Sequence, residues 1–235
     1  MMDPTRLGVG VIGAGRVGPV LATALAGAGH ALVGITRPSD GDTERVSGVI
    51  PGVQFFDAED LVERSELVIL AVPDDVLSDL VKGLALAGRW QSGHIVLHTS
   101  LRHGLDVLAP ATQAGAIPVT LHPLMEFTGT SMDLATMKGA WAVVSAPAIA
   151  TPIAEALAVE MGMEPLVISD SDREAITSAS ALATSFAATT IREAVDRLRA
   201  IGIDNPGMVL GPLVRSSVEN TLRDVAGNDV ELGNP

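Results

Sequence analysis

Gly13-Ala14-Gly15-Arg16-Val17-Gly18 places three glycines in the pattern G-x-G-x-x-G. In such a turn the first glycine permits the tight bend, the second lets backbone approach a pyrophosphate, and the third lets a helix lie close to a strand. The helix that follows offers free N–H groups and a positive dipole end to phosphate. The pattern alone is weak. Here an apolar run precedes it and an apolar helical pattern follows, which is the context the chemistry needs. A glycine-rich turn that binds nothing is the plainer alternative, and it requires spacing and context to coincide by chance. No Gly-Lys-Ser/Thr follows, so a P-loop is excluded. Gly13, Ala14, Gly15, Arg16, Val17 and Gly18 are therefore candidates for holding a dinucleotide.

Which dinucleotide is read from the end of the second strand, about 20 residues beyond the glycines. Thr36-Arg37-Pro38-Ser39 stands there, with no acid. A carboxylate binds free ribose hydroxyls and repels a 2′-phosphate. A hydroxyl followed by Arg does the reverse, because guanidinium pairs with phosphate through charge-assisted bonds. Thr36, Arg37 and Ser39 thus favour NADP. Asp40 and Asp42 lie close enough in sequence to keep NAD open, and an ordinary surface Arg is the competing reading of Arg37.

Other polar residues fall at the ends of apolar runs: Val72-Pro73-Asp74-Asp75, His98-Thr99-Ser100 and His122-Pro123. In an open α/β sheet the ligand lies beyond the carboxyl ends of the strands. Val72, Pro73, Asp74, His98 and Thr99 are accordingly expected around the cofactor, although Asp74 can equally cap the next helix. A histidine can take a hydroxyl proton while hydride leaves, and can return it in reduction. His122 is the candidate for that role, with Ser100 beside it; structural packing of His122 against Pro123 is the alternative. His94 and His98 share an i, i+4 spacing, but on a strand without nearby carboxylates, so no metal site is expected.

The elements that must position these residues alternate. Expected strands are 7–12, 31–36, 53–56, 67–72, 94–99, 117–121, 141–144 and 166–168, with helices at about 16–28, 57–64 and 75–87. Alternation with continuous apolar strands such as Leu67-Val68-Ile69-Leu70 predicts an α/β, Rossmann-type, doubly wound and mostly parallel sheet. The pattern changes after Ser169. One helical stretch without Gly or Pro runs to about residue 200, where Gly202 ends it. A second helix is expected over 206–225, followed by a loose tail. We therefore expect a dinucleotide-binding domain over 1–169 and a small all-helical domain over 170–235 that serves dimerisation or substrate binding. The stretch 175–198 is apolar around much of its circumference, including Ile176, Leu182, Phe186, Ala187 and Ile191. Such a helix is buried, which predicts a homodimer.

Composition narrows the function classes. With 47% hydrophobic residues in 235, the chain can bury a sizeable core. A net charge of -13 opposes nucleic acid and anionic lipid surfaces. The absence of cysteine removes disulfides, thiolate nucleophiles and Cys-based zinc sites. No apolar run approaches the ~20 residues of a membrane span. The run at 7–12 is too short for a signal segment, and a cytoplasmic protein is expected.

The glycine turn, Ala71-Val72-Pro73-Asp74-Asp75, His98-Thr99-Ser100 and Leu121-His122-Pro123-Leu124 together resemble an uncharacterised family of Rossmann-like oxidoreductases. That family groups with deazaflavin-dependent NADP oxidoreductases, pyrroline-5-carboxylate reductases and 6-phosphogluconate dehydrogenases. The chain is more distantly similar to prephenate dehydrogenases, whose His-Pro-Met stretch implies the catalytic role for His122 and the neighbouring one for Ser100. Relatives carry a Tyr-His pair and later an Asn on the first helix after the boundary; here Ile176-Thr177 and Thr184-Ser185 stand instead. The Lys-x-x-x-Asn pattern of β-hydroxyacid dehydrogenases is also missing. The resemblance implies an NADP-dependent oxidoreductase acting on a small polar metabolite. A non-catalytic dinucleotide-binding or redox-sensing protein is the alternative.

Overall fold

Val9, Val11 and Ile12 leave no polar side chain on either face of the first strand, β1 (Gly8–Ile12), and all are buried. A strand of that kind needs cover on both faces. In the computed structural model, which describes residues 6–232 apart from Asp40 and without the side chains of 186–187 and 227–232, β1 lies inside an eight-stranded sheet. It is followed by α1 (Gly18–Gly27), β2 (Ala31–Thr36), α2 (Thr43–Val49), β3 (Phe55–Phe56), α3 (Ala58–Glu63), β4 (Leu67–Leu70), α4 (Asp74–Leu86) and β5 (Ile95–His98). A 3₁₀ turn at Leu105–Leu108 runs into α5 (Ala109–Gln113). Next come β6 (Ile117–Pro123), α6 (Asp133–Thr136), β7 (Trp141–Ser145), α7 (Thr151–Glu160) and β8 (Glu164–Val167).

The strand order is β3-β2-β1-β4-β5-β6-β7-β8. Pairing is parallel from β3 through β6, antiparallel between β6 and β7, and parallel again between β7 and β8. The chain winds outward in one direction from β1 and in the other from β4. A crevice opens between their carboxyl ends, where connections leave to opposite sides. The doubly wound, mostly parallel α/β sheet is as expected. One face packs Leu21 and Leu25 of α1, Val46 of α2 and Leu157 of α7 against Val9, Val11 and Leu97. The other packs Leu61 of α3 and Leu77 and Val81 of α4 against Ile12, Val68 and Val96.

Several boundaries differ from the pattern reading. β6 runs on to Pro123, so His122 lies within the strand and not beyond it. The helices α2, α5, α6 and α7 were not expected. They are short, and α7 buries mainly small residues, Ala154 and Ala158 beside Leu157, which give little amphipathic contrast.

The chain divides into two compact units, Met1–Thr177 and Ser178–Pro235. A 3₁₀ turn at Asp170–Asp172 leads into α8 (Arg173–Ala200), whose first turn belongs to the first unit. Arg173 is buried there. Its guanidinium donates to Ser145 Oγ at 2.9 Å, Asp170 Oδ1 at 3.0 Å and Thr120 Oγ1 at 3.3 Å, and it reaches the Leu101 carbonyl. The second unit holds the rest of α8 and α9 (Pro206–Leu232), with Gly202 at φ +83° in the turn between them. The expected loose tail from Gly227 is instead helical up to Leu232. Gly227 weakens the helix by only about 1 kcal/mol relative to Ala, too little to stop it. No helix among the described residues is long and apolar enough to cross a membrane.

Candidate functional site

The glycine turn is shaped by contacts that leave no room for side chains. Gly13 has φ +120°, and a Cβ there would lie 2.1 Å from the carbonyl oxygen of Ala71, just beyond β4. A Cβ on Gly18 would lie 2.0 Å from the Gly13 carbonyl oxygen. Gly15 is different: a Cβ there meets nothing within 4 Å. Its smallness serves no packing within the protein, so the space beside the backbone is open at this point of the turn.

Gly13, Ala14 and Gly15 line a cavity of about 270 Å³ with Thr36, Arg37, Ser39, Asp42 and Val72. The expected residues from three strand ends are thus gathered in one place. The Thr36 hydroxyl accepts a hydrogen bond from the Gly13 N–H at 2.9 Å, so it orders the turn. Arg37 is exposed and makes no ion pair among the described residues. Asp42 is held by Arg45 Nε and by the Ser39 hydroxyl, both at 3.1 Å. Those bonds keep its carboxyl below the usual value. Asp40 lies outside the described residues.

A second cavity, of about 300 Å³, is lined by Arg16, Val17, Thr99, His122 and the segment Pro123, Met125, Glu126 and Phe127. The same turn therefore contributes to both cavities, Gly13 to Gly15 on one side and Arg16 and Val17 on the other. Asp133 holds the loop that follows β6. It is buried and accepts hydrogen bonds from the N–H and hydroxyl of Thr128 and the N–H of Gly129. Burial alone would raise the Asp133 carboxyl, but these bonds hold it below its ordinary value.

His122 Nδ1 lies 2.7 Å from the Thr99 carbonyl oxygen. A carbonyl only accepts, so Nδ1 carries the proton and the neutral ring keeps its lone pair on Nε2. Burial pushes this histidine below its ordinary 6.5, against the pull of the Thr99 carbonyl. The ring is neutral at pH 7, with the Nε2 lone pair free to accept a proton.

Ser100 does not share the cavity. It is 6% exposed, and its hydroxyl accepts the His103 N–H at 3.1 Å, which caps the turn after β5. His98 is fully buried and lines none of the described cavities. Its Nε2 donates to the Gly104 carbonyl at 3.1 Å, while Nδ1 has no partner among the described residues. Alternation along β5 explains the split, since Thr99 points away from the side His98 takes. Pro73 occupies the cap position of α4, and Asp74 is the first helical residue and makes no capping bond. Asp74 instead lines an open cleft with Asp75, Ser78, Arg102 and His103. Among the described residues no group of His and acidic side chains is arranged to hold a metal.

Arg45, Glu126, Phe127 and Asp133 were not singled out from sequence. Thr128-Gly129-Thr130 before Asp133 is a turn signal that points to the loop. Nothing in the pattern points to Arg45, whose carbonyl partners Ala14 and Gly15 come from a distant turn.

The fold and this crevice define a Rossmann-type α/β protein. The chain belongs to the Rossmann-like domain family, whose model matches residues 1–123. Residues 140–228 match a second model, described as a domain of unknown function, DUF2520. No curated protein matches the chain. Among solved structures it is similar to a Bacteroides fragilis protein described as a candidate NADP oxidoreductase. That match has TM-score 0.74 and 15% identity, over 97% of this chain and 91% of the other. It is also similar to Plasmodium falciparum pyrroline carboxylate reductase with NADP bound, at TM-score 0.66 and 14% identity over 94% and 79%. A variant imine reductase of Myxococcus stipitatus in complex with NAD+ matches at TM-score 0.58 and 18% identity over 95% and 78%.

Two stability outcomes follow from the site's packing. Gly18→Val is expected to cost on the order of 3 kcal/mol by overpacking, whereas Gly15→Val leaves the urea midpoint nearly unchanged. Equal midpoints for the two variants would contradict the assigned contacts. The second outcome concerns pH. Burial lowers His98 to about 4, from an ordinary 6.5. Between those values the unfolded chain binds a proton that the native ring refuses. Stability is therefore full above pH 6.5 and falls by roughly 3 kcal/mol as pH drops to 4. His98→Asn should remove about one proton from the uptake on unfolding in that window, read from the slope of stability against pH. An unchanged slope would show that His98 titrates normally in the native protein.

Proposed function

We propose that the chain is an NADP-dependent oxidoreductase that moves hydride between NADP(H) and a small polar metabolite. One observation carries the reading: a single glycine turn joins two cavities at the carboxyl end of the sheet. One has the open space at Gly15 and Arg37, which makes no ion pair among the described residues, and is suited to pyrophosphate and a 2′-phosphate. The other holds a neutral histidine, suited to proton transfer. The open space at Gly15 and the donor set fit a nicotinamide dinucleotide, held by Gly13 to Val17, Thr36, Arg37, Ser39, Val72 and Thr99. The solved structures named above, two with a nicotinamide cofactor, support the same class.

When bound, a nicotinamide dinucleotide supplies or accepts the hydride. His122 does the proton work. Thr99 fixes its tautomer, and Nε2 takes the proton of a substrate hydroxyl or amine during oxidation and returns it during reduction. Val17, Pro123, Met125 and Phe127 keep water from the reacting atoms, while Arg16 and Glu126 offer charge to a polar substrate. Ser100 serves by holding the turn that presents Thr99. His98 and the Asp74 carbonyl hold the turn after β5 through Gly104 and His103, and Pro73 starts α4.

The test is substrate-dependent oxidation of NADPH across a metabolite panel, with binding measured by calorimetry. Arg37→Ala is expected to weaken NADP(H) by about 10- to 150-fold and NAD(H) hardly at all. Gly15→Val is expected to abolish both. His122→Asn is expected to lower turnover by about 10²–10⁴-fold with NADPH affinity kept. Oxidation by the unaltered protein should fall on the acid side with an apparent pKa below 6.5, because the base must be unprotonated. Tighter NAD(H) than NADP(H) binding in the unaltered protein would refute the cofactor choice. Binding without turnover on any substrate would favour the sensor reading.

We also propose that the helical unit joins two copies of the chain. Leu182, Met208, Leu213 and Leu222 of α8 and α9 are exposed, more apolar surface than a lone helix pair usually leaves in water. Phe186 and Ala187 of the expected face lie outside the described side chains. Light scattering at micromolar concentration should give a dimer mass. A monomer mass would overturn this assembly without touching the site.

A further inference from the structure

Arg45, on α2, has no place in the expected site, yet its guanidinium is spent on the glycine turn. Nη2 donates to the Ala14 carbonyl at 2.8 Å, and Nη1 donates to the Gly15 carbonyl at 3.0 Å. Asp42 takes the Nε–H, and Ser39 holds the other Asp42 oxygen, so the planar fork is fixed in orientation. The side chain is only 25% exposed.

A trans peptide carries its C=O and N–H on opposite sides. No cis peptide occurs among the described residues. A cation that draws the Ala14 and Gly15 carbonyls toward itself therefore turns the N–H groups of Gly15 and Arg16 the other way. Neither of those N–H groups donates a hydrogen bond to another backbone group among the described residues. Gly15 borders open space, and a cavity opens on each side of the turn. Carbonyls paired to a guanidinium are also polarised, which strengthens the donors of the same peptides.

We propose that Arg45 is a positioning residue for dinucleotide binding: it holds the Ala14 and Gly15 carbonyls so that the N–H groups of Gly15 and Arg16 meet the pyrophosphate. The inference rests on the cofactor reading above and adds a residue that touches only protein. Its effect falls on the pyrophosphate, which NADPH and NADH share. Arg37 acts instead on the 2′-phosphate, which only NADPH has.

The experiment compares Arg45→Met, Arg45→Lys and Arg37→Ala in the full chain by calorimetry with NADPH and NADH. Arg45→Met is expected to weaken both by the same factor, on the order of tenfold. Arg45→Lys should recover part of that loss, since one ammonium can still hold one carbonyl. Amide resonances of Gly15 and Arg16 should shift on NADH binding in the unaltered protein and shift less in the Lys variant. This readout keeps the test decisive if the Met variant does not fold. A loss confined to NADPH would make Arg45 a ligand of the 2′-phosphate and overturn the proposal. So would unchanged affinity for both cofactors, or amide shifts equal in the Lys variant and the unaltered protein. An unaltered protein that binds neither NADPH nor NADH would overturn the cofactor reading itself, and this inference with it.

Discussion

A Cβ on Gly13 would stand 2.1 Å from the Ala71 carbonyl oxygen, and one on Gly18 would stand 2.0 Å from the Gly13 carbonyl oxygen. Backbone passes backbone at both places with no space for a methyl group. Because it does, β1 can end against β4, and α1 can start directly behind the turn. The crevice of a doubly wound sheet forms where those two strands part. Both cavities depend on this closeness, since the turn that makes it lines one with Gly13 to Gly15 and the other with Arg16 and Val17.

The loops around the crevice are held by buried polar contacts. His98 and Arg173 reach the turn after β5 from beneath, through the Gly104 and Leu101 carbonyls, and Thr177 donates to Leu101 as well. Ser100 closes the same turn, and His103 ties it to the Asp74 carbonyl. Asp133 does the equivalent for the loop after β6. Such networks rigidify when every member is satisfied. Nδ1 of His98 has no partner among the described residues, and burial lowers this histidine to about 4.

Electrostatics concentrate at the same end of the sheet. The chain is strongly acidic, with a net charge of -13. Yet Arg16, Arg37 and Arg45 gather at or beside the glycine turn. Asp42, which alone would repel a phosphate, is neutralised by Arg45.

The sheet and its turn were legible in the sequence because both depend on local rules. Apolar runs such as Leu67-Val68-Ile69-Leu70 have few alternatives to a doubly covered strand, and three spaced glycines announce a close approach whatever surrounds them. The strand end at Thr36-Arg37 could be read for the same reason: the spacing from the turn carries it there. What local pattern does not contain is which side a polar residue faces and what it meets. Ser100 and His98 looked like site residues by position, yet the alternation of β5 and the fold of the next loop turned them inward. Antiparallel β7, the pairing of Arg173 with Ser145 and Thr120, and the grip of Arg45 on Ala14 and Gly15 join residues far apart in the chain. Such contacts exist only once the sheet has assembled, so only the tertiary structure decided them.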